Sequence, residues 1–337
     1  MKNIFEITDN FLKNRDIKSE LVWGDLSAIS APRVTIIIPT YSHPEYFRMA
    51  LISSVNQDFK DAYEIIVVDN NPESSEENKN AIIVSQIASK KVLYYRNNQN
   101  LGMYGNWNRG IELARAPFIT FCHDDDVLLP SALTRLMELQ KKTGNKAIFS
   151  SMNEIDKYGE VRYNHQNKIS RKFFFLQRRD WYNYTLFHQF IKSAGFGCGC
   201  LFSRECLIHI GGYNELYYPS ADYALQILYT FKYGSIYNQI PTFNYRIAEN
   251  ESLSVYKQFI EADEGFRNII KNKLLLPRFI SNRIIKANKR ISSICFAIRW
   301  GNAPRSLYNR IKLFDKIIMN MCTLLCSLNT YKISLRR

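Results

Sequence analysis

Four short apolar runs set the limits on what this chain can fold into. They are Val34-Thr35-Ile36-Ile37-Ile38, Glu64-Ile65-Ile66-Val67-Val68, Val92-Leu93-Tyr94-Tyr95 and Phe118-Ile119-Thr120-Phe121. They are rich in β-branched and aromatic residues and almost free of charge, the composition of strands buried on both faces of a parallel sheet. Helical stretches separate them, from Pro44 to Asn56, from about Ser75 to Ser89 and from Tyr104 to Ala114. Pro44 suits the first position of a helix. Strand and helix in alternation imply right-handed crossovers and a parallel, doubly wound α/β sheet.

In such a sheet, ligands bind beyond the carboxyl ends of the strands. Thr40 and Tyr41 follow the first run, Asp69 the second, and the triplet Asp124-Asp125-Asp126 the fourth. Three adjacent acids repel each other and lose solvation next to a buried strand. A divalent cation resolves that conflict, and hard carboxylate oxygens suit Mg²⁺ or Mn²⁺. The plainer alternative is a solvated acidic turn. Neither G-x-G-x-x-G nor G-x-x-x-x-G-K-[ST] follows the first strand, which argues against dinucleotide and P-loop sites. Phosphate bound here would need the metal to carry it.

Taken together and in order, the motifs resemble those of family 2 glycosyltransferases. They are Val34 to Tyr41, Ile66-Val67-Val68-Asp69-Asn70, Asn100-Leu101-Gly102, Asn108-Arg109-Gly110-Ile111 and Asp124 to Pro130. The resemblance spans about residues 33–255 and implies a GT-A-type doubly wound mixed, mainly parallel sheet flanked by helices, with a helical C-terminal extension. It also implies an inverting transfer of sugar from a nucleoside-diphosphate sugar, a UDP-sugar foremost, to an acceptor hydroxyl. Tyr41, with Pro39 and Thr40 beside it, falls where the family packs the nucleotide base, and Asp69 where it accepts a hydrogen bond from that base. Asn108 and Arg109 lie in the nucleotide-sugar region. Asp125 would touch Mn²⁺ or Mg²⁺, Asp124 would face the ribose or metal waters, and Asp126 would support them. Asp222, after Gly211-Gly212-Tyr213, falls at the catalytic base, and Arg246 at a pyrophosphate contact.

The chain departs from the family pattern in three places. His123 stands where an acid is commonest and reads as a plain substitution, with a water-mediated place near the metal as the alternative. Trp107 stands where an arginine is frequent, with Arg109 the nearest cation. Ala221 replaces a glutamate before Asp222. Two other classes stay open, a nucleotide-sugar-binding module without turnover and a nucleotidyltransferase. The second usually carries a glycine- and Lys/Arg-rich loop after its first strand, and Pro39 to Pro44 contains none of these residues.

The domain reading is an N-terminal extension (1–32) with a short helix from Phe5 to Lys13, a nucleotide-sugar-binding half (33–130), an acceptor-binding half (131–260) and a basic helical tail (261–337). Formal net charge is +14, and the tail holds it: Arg267 to Arg337 carries 16 Lys and Arg against Asp315 alone. A nucleic-acid binder more often carries its charge on the folded core, so no nucleic-acid partner is expected. Basic amphipathic helices suit an anionic membrane surface, with a charged helical cap as the alternative. Seven irregularly spaced cysteines read as free thiols in a reducing cytosol. There is no apolar leader after Met1 and no run of about 20 apolar residues, so neither a signal peptide nor a spanning helix is expected. The expected setting is cytoplasmic, peripheral at the inner face of the cytoplasmic membrane. The expected acceptor is a lipid-linked saccharide of bacterial surface polysaccharide or O-antigen synthesis.

Overall fold

The computed structural model describes residues 3–41, 43–72, 78–163, 180–195, 197–248, 252–299 and 303–327. In order, the elements are β1 (Ser19–Trp23), β2 (Val34–Thr40), α1 (Pro44–Val55), β3 (Tyr63–Asp69), α2 (Lys79–Ile87), β4 (Val92–Asn97), α3 (Gly102–Leu113), β5 (Phe118–Phe121), β6 (Val127–Leu128), α4 (Ala132–Thr143) and β7 (Ala147–Ile155). There follow β8 (Val161–Tyr163), β9 (Trp181–Tyr184), α5 (Leu186–Ile191), β10 (Phe202–Ser203), α6 (Arg204–His209), α7 (Ala221–Tyr233), β11 (Ser235–Arg246), α8 (Ser252–Ile270), α9 (Arg278–Arg299) and α10 (Leu313–Ser327).

Six strands form the first sheet, in the order β1-β4-β3-β2-β5-β10. Its four central strands are parallel, and the two at the edges are antiparallel to their neighbours. Every residue of β2 and β3 is buried. Their side chains alternate between two cores: Ile37, Ile66 and Val68 join one, and Ile36, Ile38, Ile65 and Val67 the other. Period-two alternation with both faces covered is what the apolar runs predict. A second sheet runs β6-β11-β7-β8, and β9 also pairs with β11. The acid triplet lies in the link from β5 in the first sheet to β6 in the second.

Pro39 does not end its strand. β2 continues to Thr40, with Pro39 opposite Val68 and Thr40 opposite Asp69. On the other side β5 pairs only as far as Ile37, whose carbonyl accepts the Cys122 N–H. Pro39 lies two residues on, facing the side that β5 has left, so its missing N–H costs no ladder bond.

Two segments differ from the sequence reading. The N-terminal helix is absent; Leu12–Asn14 is one 3₁₀ turn, and β1 closes the sheet edge against β4. Besides a few local turns, the backbone of this segment bonds to other elements. Asn10 N–H donates to the Gly211 carbonyl, and Arg109 collects the carbonyls of Asn14 and Ile17. Gly211 (φ +82°) is needed there, since a Cβ would lie 1.9 Å from the Thr8 carbonyl oxygen. The second is the tail, because residue 261 falls inside α8 and the tail helices pack on the fold. Phe266, Ile270, Leu274, Ile284, Ile285 and Cys322 share a core with Ile37 and Phe121. Arg267 Nε donates to the Phe190 carbonyl at 3.0 Å, and Arg299 pairs with Glu154 at 2.6 Å. A basic stretch of the sequence, Lys168 to Arg179, lies outside the described residues. Among those described, no helix is long and apolar enough to cross a membrane.

Candidate active site

The carboxyl ends of the first sheet open into a cavity of about 440 Å³. Pro39, Thr40, Tyr41, Asp124, Asp125 and Asp222 all line it, so the two ends of the chain's predicted chemistry meet in one space. Tyr41 is 52 % exposed at its rim. Val255 and Phe259 of α8 supply an apolar wall.

A tight turn shapes the acid loop, with Asp126 N–H bonded to the His123 carbonyl at 3.1 Å. Thr40 Oγ1 donates to Asp124 Oδ2 at 2.9 Å, which ties Asp124 to the end of β2. Asp126 is fully buried, and its Oδ1 accepts the Arg246 N–H at 3.0 Å. Arg246 Nε holds the Asp125 carbonyl at 2.8 Å. His123 stacks on Trp107 at 4.9 Å between centroids, and its Nδ1 lies 3.5 Å from Asp126 Oδ2. Burial, together with the charges of Asp126 and Asp124, pushes the Asp125 carboxyl up to about 8. Burial also raises Asp124, against the Thr40 hydrogen bond. Burial alone would lower His123, but the adjoining Asp126 carboxylate prevails and raises it to about 9.

The donor atoms of His123, Asp125 and Asp126 all lie within 4.8 Å of one another. Asp126 Oδ2 and His123 Nε2 are buried without a hydrogen-bond partner. Such orphaned atoms are costly unless something binds them. Two carboxylates and one imidazole fit a divalent cation, and the carboxylates suit Mg²⁺ or Mn²⁺. His123 thus lies in one cluster with Asp125 and Asp126.

Asp222 stands in the first turn of α7, where the helix dipole favours a carboxylate. Burial nevertheless pushes it up to about 6, with Asp263 of α8 adding to the rise. Tyr104 fixes the approach to α7: its hydroxyl donates to the Pro219 carbonyl at 2.7 Å and accepts the Ala221 N–H at 3.3 Å. The glycine pair before it is clamped by Asn108, which accepts the Tyr213 N–H and donates to the Tyr213 carbonyl, both at 2.8 Å. A Cβ on Gly212 would stand 2.5 Å from Asn108 Oδ1.

Four predicted binding residues do not line the cavity. Asp69 is fully buried; its Oδ2 accepts from Tyr94, Asn80 and Asn78, and its Oδ1 from Asn71 N–H. Asn108 holds Tyr213 as described. Arg109 points the other way, to Glu112, Ser19 and the carbonyls of Asn14 and Ile17, so it does not replace the arginine missing at Trp107. Arg246 is fully buried, donates to the carbonyls of Asp125, Asp156 and Lys157, and lies 4.6 Å over the Tyr46 ring. Their common reason is that each carries donors or acceptors that nearby backbone and side chains satisfy first.

Sequence reasoning also missed an asparagine network under the cavity. Asn70 bonds Asn100 at 2.7 Å, Asn97 bonds both Asn70 and Asn106, and Asn106 donates to the Val68 carbonyl. The signal was the clustering of asparagines after two strands. Trp107 acquires a role too, as the plate on which His123 rests.

Known proteins fit this arrangement. The family model described as "Glycosyl transferase family 2" matches residues 35–210. A Campylobacter jejuni protein named GalNAc(5)-diNAcBac-PP-undecaprenol beta-1,3-glucosyltransferase is 33 % identical over 153 residues, 44 % of this chain and 48 % of that protein. An uncharacterised glycosyltransferase of Methanocaldococcus jannaschii is 31 % identical over 133 residues, 39 % of this chain and 45 % of its own. This chain therefore spans about half the length of these relatives or less. Among solved structures, S. aureus TarS 1-349 in complex with UDP-GlcNAc superposes with a TM-score of 0.56 at 15 % identity, over 88 % of this chain and 81 % of that one. At that identity the likeness is one of fold.

Proposed function

The chain belongs to glycosyl transferase family 2, and from that premise we propose that it moves a sugar from a nucleoside-diphosphate sugar to a hydroxyl of a saccharide acceptor. One observation carries the reading: Asp222 and the acid loop open onto the same cavity. The carboxylate of Asp222 takes the proton of the attacking hydroxyl, whose oxygen bonds to the anomeric carbon as the bond to the diphosphate breaks. Attack opposite the leaving group inverts that carbon. A bound Mn²⁺ or Mg²⁺, held by Asp125 with Asp126 and His123, would supply Lewis-acid relief of the charge on the departing diphosphate. Tyr41, with Pro39 and Thr40, offers a face for the base, and Asp124 faces the ribose or metal waters. Asp69, Asn108, Arg109 and Arg246 position these walls and do not touch donor in this reading.

The first half of the fold then holds donor and the second half, with α8, holds acceptor. UDP is the nucleotide we favour, because the solved neighbour binds UDP-GlcNAc. A lipid-linked acceptor in bacterial surface polysaccharide synthesis, as in O-antigen, is supported by the undecaprenol-linked substrate in the name of the Campylobacter relative. Such an acceptor places the protein at the inner face of the cytoplasmic membrane, with its basic C-terminal helices toward anionic lipid. The test is a panel of nucleotide-sugars incubated with Mn²⁺ while released nucleoside diphosphate is followed. Release from one donor that stops in EDTA is the expected result. Donor binding without release for every sugar would mean a binding module.

A further inference from the structure

We propose that α10 seats the chain on an anionic bilayer through an apolar face that the fold leaves exposed. The proposal deepens, and rests on, the peripheral-membrane reading above. Packing divides α10 into separate arcs. Asp315 and Cys322 are buried, and Ile318, Met319, Leu325 and Cys326 pack against the main core. Away from them, Leu313 is 73 % exposed, Phe314 53 %, Ile317 46 % and Met321 60 %. At 100° per residue these side chains fall within one arc of about 100°. Lys316, Asn320 and Thr323 form the remaining, polar arc, and all are exposed. The helix thus carries two apolar faces, of which the fold covers one. Alongside lies the start of α9, where Phe279 is 70 % exposed and the Arg283 guanidinium sits 5.5 Å from the Phe314 ring.

Charge selects the occupant. Lys312 and Lys316 are exposed at and beside the start of α10, and Arg283, Arg305 and Arg310 are exposed on the segments that precede it. From Arg278 to Ser327 the chain has a single acid, Asp315, which is buried against Arg290. A second copy of the chain would bring cations against cations. An anionic bilayer supplies both what the cations attract and what the apolar arc enters at the headgroup boundary. A helix of 15 residues is about 22 Å long at 1.5 Å per residue, which suits lying in the interface and not crossing it.

The experiment floats the full-length protein with vesicles of phosphatidylcholine containing 30 % phosphatidylglycerol, about three in ten lipids anionic. Wild type is expected to float at low salt, to float much less with phosphatidylcholine alone, and to be partly released as salt rises. The pair Ile317→Ser with Met321→Ser should weaken flotation by roughly tenfold or more, each change removing an exposed side chain from the apolar arc. The pair Lys312→Gln with Lys316→Gln should weaken it several-fold and flatten its salt dependence. All four positions are exposed, so thermal unfolding and donor turnover with a soluble acceptor should stay as in wild type. If wild type floats and both pairs float equally well, another surface docks; this proposal fails and the peripheral reading survives. Should wild type ignore anionic vesicles altogether, both fail. A wild-type dimer that Ile317→Ser with Met321→Ser converts to a monomer, without vesicle binding, would also overturn it in favour of a chain–chain contact.

Discussion

Asp125 and Asp222 face the cavity, and burial raises their carboxyls to about 8 and about 6. One layer behind, Asp69, Asn108, Arg109 and Arg246 direct their hydrogen bonds into the protein. The front layer is uncomfortable and the back layer is satisfied. Unfavourable burial at a cavity wall is tolerated where a ligand or a reaction relieves it. Satisfied polar groups hold a shape and cost stability only when removed. The two layers should therefore fail in opposite ways.

The largest effect is expected at the front. Asp125→Ala should reduce transfer to background while leaving the fold intact. Asp125→Asn should even stabilise the cation-free protein. A carboxyl held at about 8 in the fold, against an ordinary 3.8, costs stability increasingly as pH rises between those values. The gain in Tm should thus be larger at pH 8 than at pH 5, and an equal or opposite change would break the contrast.

Substitutions in the back layer should lower stability first. Arg246→Ala removes the side chain that ties together the carbonyls of Asp125, Asp156 and Lys157 and should lower the unfolding free energy by about 2–4 kcal/mol. Asn108→Ala strands the N–H and carbonyl of Tyr213 and should fall at the lower end of that range. Denaturant titration reads both; unchanged midpoints would mean these residues serve something other than the scaffold. Tyr41→Ala sharpens the comparison from the other side. It is exposed, so Tm should hold while donor affinity drops by about 1–3 kcal/mol, the value of a lost base stack, read by titration calorimetry. The smallest effect is in pH. With its carboxyl at about 6, Asp222 is ionised above that pH and protonated below it, so kcat/KM should decline tenfold per unit as pH falls below about 6.

Much of the fold was legible because its central strands are short runs rich in β-branched and aromatic residues, set in regular alternation with helical stretches. Val34 to Ile38 and Glu64 to Val68 needed no partner to be recognised. β1 was not legible, since Ser19–Trp23 is a strand only because the far edge of β4 is vacant and Arg109 holds its approach. The cavity-facing acids were legible as motifs at strand and helix ends. What each polar residue points at was not, because a side chain's nearest satisfied partner lies far away in sequence: Arg246 meets Asp126 across 120 positions, and Asn108 meets Tyr213 across 105. His123 belonged with this group, since its place in the acid cluster depends on Trp107 beneath it. The tail was read correctly as helices, but their amphipathic periodicity could not say which apolar face the core would claim.

The central claim is that Asp222 is the base of a transfer reaction, and Asp222→Asn tests it most directly. Donor Kd by calorimetry and nucleoside-diphosphate release should be measured on the same preparation, with Mn²⁺ present. The account predicts an unchanged Kd and a turnover lower by roughly 10²–10⁴. Turnover that matches wild type, or that falls only as far as donor affinity falls, would contradict it.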